Sequence, residues 1–146
     1  MATCGWTSKL GGWRPSIEGT SLIVAMTEPA RLFVADHARA SHDARVFVTN
    51  FVRRAQWAGS AEDAALVMGE LVANALTHTD SESVIECHVA DAVLHLEVHD
   101  RVALPVQPIG VPGLAGGYGL RVVDALSRAW GCEVEPTGKK VWAELS

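Results

Sequence analysis

Between Ala64 and Leu76 only two side chains are polar, Glu70 and Asn74. The rest of that stretch places Ala64, Val67, Met68, Leu71, Val72 and Ala75 at helical spacing. Such a stripe is satisfied only when a long helix lays it on a core. Ser60 stands where an N-cap is needed, and Asp63 three positions later resembles a capping box with Asp in place of Glu or Gln. The helix is expected from Ala61 to about His78.

The segments around this helix fix what it can pack on. Arg31–Asp36 reads as a strand, and Ser41 to about Gln56 as a helix with Ala44, Phe47, Val48, Phe51 and Ala55 on one side. Val84–Ala90 and Val93–Asp100 alternate apolar and polar residues about Asp91-Ala92, the pattern of a half-exposed hairpin. Prolines and glycines make 101–118 a loop. A helix is expected from Leu120 to Ala129, then strands at Cys132–Glu135 and Lys140–Leu145. This order implies an α+β fold, a two-layer sandwich with helices on one face of a mostly antiparallel, mixed sheet. Residues 1–28 lack any period and read as a loosely ordered N-terminal extension, leaving 29–146 as the domain.

Bulk properties exclude several classes. The 146 residues suit one core, and a net charge of −5 without a Lys/Arg run argues against direct nucleic-acid binding. Cys4, Cys87 and Cys132 are odd in number and widely spaced, which fits a reduced cytoplasmic setting better than a disulfide framework or a zinc site. Cys87, in an apolar alternating stretch, reads as core. The apolar run Leu22–Met26 is far short of the about 20 residues that span a bilayer, so no membrane role is expected.

Glu70 and Asn74, four apart, share one shoulder of their helix, with His78 on the same side. From the helix alone a solvated flank is the commoner reading. The functional reading is a metal–nucleotide site: an Asn carbonyl oxygen is a hard ligand suited to Mg2+, and a carboxylate beside it can accept a proton. Asp100 ends an apolar strand. It is either a turn initiator or an acceptor for an exocyclic amine such as adenine's. Gly116-Gly117-Tyr118-Gly119-Leu120 leads into a helix, either as a hinge or as a backbone cradle for phosphate. No G-x-x-x-x-G-K-[ST] is present, and the glycines do not follow a strand as a dinucleotide fingerprint requires.

The succession of these motifs resembles the GHKL (histidine-kinase-like) ATPase/kinase superfamily. G-E-L-V-A-N-A-L-T-H looks like its N box, H-D-R-V-A-L-P and G-G-Y-G-L-R-V-V-D-A-L like its two glycine boxes, and G-K-K-V-W-A-E-L like the last strand of small anti-sigma-factor serine/threonine kinases. The resemblance covers about residues 30–146. It implies ATP and Mg2+ as cofactors, with Asn74 on the metal, Glu70 as base and Asp100 on adenine. Gly117, Tyr118, Gly119 and Leu120 would fall on the phosphate side, with Thr77 and His78 closing the N box. At this length the chain has no room for phosphoacceptor helices, so the anti-sigma type is the nearer match. It implies phosphorylation of a small antagonist protein, binding of a sigma factor when that antagonist is unavailable, and, as in many relatives, a homodimer. The chain departs from the pattern at Val102, where a glycine is usual, at Tyr118, where many relatives are basic, and at Lys140, where a Thr often assists adenine recognition. Those departures support a second reading, a regulator that senses nucleotide or sequesters a partner without chemistry. A third is a detached domain that phosphorylates a histidine elsewhere.

Overall fold

The computed structural model describes residues 2–3, 27–35, 38–77, 82–101 and 117–146. The strands are β1 (Ala2–Thr3), β2 (Ala30–Val34), β3 (Ser83–Ala90), β4 (Val93–Asp100), β5 (Ala129–Glu135) and β6 (Gly138–Leu145). The helices are α1 (Ala40–Arg54), α2 (Ala61–Thr77) and α3 (Gly117–Leu126). The strands form one sheet in the order β1-β5-β6-β4-β3-β2. Every pairing among the described residues is antiparallel. The α+β, two-layer reading holds. Most of the N-terminal extension, 4–26, lies outside the described residues. Ala2 and Thr3 pair with Val134 and Glu133, and Thr27 exchanges hydrogen bonds with Val89.

Strand parity builds the core. On the helix-facing side, Ile85, Cys87, Leu94, Leu96, Val98, Val141, Ala143 and Leu145 are all buried. They meet the α2 stripe, in which Ala64, Val67, Met68, Leu71, Val72 and Ala75 are fully covered, and Val48, Phe51 and Val52 of α1. Burying each Val, Leu, Ile, Phe or Met side chain among them is worth about 1.5–3 kcal/mol, which is what drives the two layers together. The opposite face carries charge: Arg31 Nε lies 2.6 Å from Glu86 Oε2, and His99 Nε2 lies 3.0 Å from Glu97 Oε2. The His88 and His95 rings, directly opposite in register, stack with centroids 4.5 Å apart.

Local chemistry sets the element ends. The Asp63 amide donates to Ser60 Oγ at 3.1 Å, the cap expected for α2. Helix α1 stops without a glycine. Gln56 takes φ 52°, its amide donates to Arg53 O, and the Trp57 amide reaches back to Val52 O. That is a Schellman stop with Gln in the left-handed position usually held by Gly. The hairpin turn places both Asp91 (φ 51°) and Ala92 (φ 63°) in the same region, as a two-residue type I′ turn requires. Trp57 Nε1 ties it to the helices by donating to Ala92 O at 3.0 Å.

The last helix and strand depart from the sequence reading. α3 starts at Gly117 and ends at Leu126, not Leu120–Ala129, and β5 begins at Ala129 where Cys132 was expected. The reason is Trp130. It is buried on the helix-facing side of the sheet, paired with Ala143, and its Nε1 donates to Asp124 Oδ1 on α3 at 3.0 Å. Only an extended backbone at 129–131 turns that indole back beneath the helix. β6 likewise starts at Gly138, two residues before the expected Lys140.

Candidate functional site

Helix α2 carries the first two candidate residues into a position flanked on several sides. It packs against α1, α3, β3, β4 and β6. Its contact with α1 is close because Gly69 lies beneath the Arg45 guanidinium, which occupies the space a side chain there would need. Glu70 and Asn74 are half-buried at the border of the covered stripe. Glu70 turns toward α3: a Cβ built on Gly119 would lie 2.5 Å from Glu70 Oε2. The missing side chain at Gly119 is therefore what lets the carboxylate approach the first turn of α3.

That first turn includes Gly117, Tyr118, Gly119 and Leu120, with Leu120 buried in the core. Gly117 and Gly119 thus belong to the helix instead of preceding it, whereas Gly116 lies outside the described residues. The amides of this turn have no partner within the helix, as in any first turn. Thr77 is the last residue of α2. Its side chain, that of Tyr118, and the candidates His78 and Val102 lie outside the described residues.

Asp100 ends β4 on the helix-facing side of the sheet, in register with Lys139 of β6. Lys139 Nζ stands 3.3 Å from Asp100 Oδ2, and both side chains are 0% exposed. Gly138 makes this approach possible, because a Cβ there would collide with the Asp100 carbonyl oxygen. Sequence reasoning did not select Lys139. The signal was present, since Lys139 shares strand parity with the buried Val141, Ala143 and Leu145. Lys140, the residue singled out instead, is corrected by the register: it projects from the opposite face, 3.2 Å from Glu133 Oε2 and 3.9 Å from Glu97 Oε1. It cannot stand beside Asp100 without inverting the strand.

Other titratable groups are placed away from this chemistry. Cys87 is buried and its thiol is pushed up to about 12, mainly by burial, so it is a core residue and not a nucleophile. Among the described residues no cluster of three or more His, Cys, Asp or Glu could hold a metal by itself. A cation at Asn74 would draw ligands from the bound molecule, which is how Mg2+ commonly sits with phosphates. No described helix is long and apolar enough to cross a membrane.

The α+β sandwich brings a Glu…Asn helix against a glycine-bearing helix start and ends a strand on a buried Asp, the elements expected of a nucleotide-binding domain. The chain matches the family model of the histidine kinase-like ATPase domain over residues 33–145 and belongs to that family. Comparison with curated proteins finds no match. The family makes this an ATP-binding regulatory domain.

Proposed function

We propose that this chain is an ATP-dependent serine/threonine kinase of the anti-sigma type, acting on a small antagonist protein. The observation that carries the reading is the placement of Glu70 against Gly119, with Asn74 one turn further along α2. In that arrangement the Asn74 carbonyl oxygen would hold Mg2+ and the first turn of α3 would offer its amides to phosphate. ATP supplies the phosphoryl group. Glu70 accepts the proton of the attacking serine or threonine hydroxyl, and the Gly119 gap sets where that carboxylate waits. The cytoplasm is the setting that ATP and an antagonist protein require.

The test is calorimetric titration of the chain with MgATP, followed by labelled transfer to a panel of small antagonist proteins. Asn74→Ala is expected to lower affinity by the about 1–3 kcal/mol that an unmet polar group costs. Glu70→Ala is expected to bind MgATP but not transfer. An acid-stable label identifies a hydroxyl acceptor, and an acid-labile one points instead to histidine. Robust transfer by Glu70→Ala removes Glu70 from the mechanism.

The buried Asp100–Lys139 pair favours one second reading, a regulator that sequesters its partner while Asp100 serves only structure. Tight partner binding with no transfer to any acceptor selects it.

A further inference from the structure

A row of side chains crosses the face of the sheet turned away from the described helices. In register from β3 to β5 it runs His88, His95, Glu144 and Ala129, with Arg128 just before Ala129. The His88 and His95 rings lie parallel, with planes 3° apart and centroids 4.5 Å apart. His95 Nδ1 stands 3.4 Å from Glu144 Oε1, and Arg128 Nε stands 3.8 Å from Glu144 Oε2. A charge-assisted hydrogen bond spans about 2.7–2.9 Å, so this carboxylate is shared by two donors and closed on neither. The Glu144 side chain is only 12% exposed, which leaves little water to complete its hydrogen bonding.

Arg128 ties this row to the helix layer. It lies just past the end of α3, its amide donates to Glu144 O at 2.8 Å, and the Ser127 amide donates back to Val123 O. A second anchor, Trp130 Nε1 on Asp124 Oδ1, holds α3 separately. Freeing the Arg128 guanidinium therefore loosens the turn between α3 and β5 without undocking the helix. Its side chain is already 43% exposed, so it can leave the pair without crossing the core.

Histidine is the one member of the row whose charge changes near neutral pH. An imidazolium carries a full charge and donates from both ring nitrogens. Closing Nδ1–H on Glu144 Oε1 neutralises that carboxylate from the β4 side and sets a second cation near Arg128. We propose that His95 is a proton-operated latch, which on protonation takes the Glu144 carboxylate and releases the Arg128 guanidinium to solvent. The groups facing His95 set where this happens. Burial opposes the added charge most, His88 and Arg128 oppose it further, and Glu144 and Glu97 favour it, so the latch turns below the ordinary 6.5. The device lies on the outer face and does not rest on the nucleotide-binding reading.

The experiment follows the Arg128 Nε–H and His95 ring signals by nitrogen-15 NMR between about pH 8 and 5. It uses the full chain as wild type, His95→Gln and Glu144→Gln. In the wild type the Arg128 signal is expected to shift to the position of an exposed arginine, such as Arg53, in step with the His95 titration. In His95→Gln it is expected to keep its alkaline position throughout. In Glu144→Gln it is expected to sit at the exposed position at every pH. Should Glu144→Gln fail to fold, the other two decide between them. A wild-type Arg128 signal that stays in place while His95 titrates overturns the proposal, as does one that moves equally in His95→Gln. A shift away from the exposed position on acidification also overturns it, since the carboxylate would then be gripping both cations.

Discussion

Gly119 and Glu70 meet across the α2–α3 contact with no room for a methyl group between them: a Cβ on the glycine would lie 2.5 Å from Glu70 Oε2. What it would strike is the far end of a flexible side chain, so the cost falls on the position of the carboxylate and not on the packing. On the proposed kinase reading, Gly119→Ala is expected to leave the thermal midpoint near wild type while phosphotransfer falls about 10-fold or more, as misplacement near reacting groups does. Melting curves and transfer assays on one preparation check both halves.

Gly138→Ala should behave in the opposite way. Its methyl would strike the Asp100 carbonyl, which is backbone in a paired strand and cannot swing aside. Destabilisation at or above the upper end of about 1–3 kcal/mol is expected, measured by urea unfolding. A neutral result would mean that β6 can shift along β4.

The Asp100–Lys139 pair makes a double-mutant prediction. Asp100→Leu alone strands a buried ammonium and should cost about 3–5 kcal/mol. Asp100→Leu with Lys139→Met replaces the pair by apolar side chains and should recover most of that loss. Additive losses in denaturant titrations would show that the two side chains do not compensate each other.

Acid sensitivity should come in two stages from the outer face of the sheet. His95 is held below its ordinary 6.5 by burial first and then by the neighbouring His88. The unfolded chain therefore takes up this proton before the folded one does. Its contribution to stability is complete above 6.5 and is lost as pH falls through 6.5 toward the lowered value. Glu97 is held below its ordinary 4.5 chiefly by its hydrogen bond with His99. Its contribution is present above 4.5 and disappears as pH falls through the lowered value. His95→Gln should flatten the upper stage, measured as unfolding midpoints between about pH 5 and 8, and leave the lower one.

Two turns hold residues where glycine is cheaper. Gln56 and Ala92 both have positive φ, and neither is glycine. Gln56→Gly and Ala92→Gly are each expected to raise stability by about 1 kcal/mol, the scale of the left-handed penalty removed. A loss of stability at either position would mean that the present side chain makes up for its backbone there.

The local parts of this protein were written in its sequence. The α2 stripe, the Ser60 cap, the alternation of β3 and β4 and the i,i+4 relation of Glu70 to Asn74 follow from periods of 3.6 and 2, which any stretch of chain carries within itself. The end of α1 was not legible, because the left-handed stop falls on Gln56, a residue with no preference for it. The helical pattern of α3 runs on to Ala129, whereas the burial of Trp130 beneath α3 demands an extended backbone there. Above all, two adjacent lysines cannot say from composition which one enters the core. The pairing of β6 with β4 decided it, setting Lys139 on Asp100 and sending Lys140 to Glu133 and Glu97. Periodicity is a property of one segment, whereas register and the approach of Glu70 to Gly119 are relations between segments distant along the chain. Only packing the two layers together could settle them.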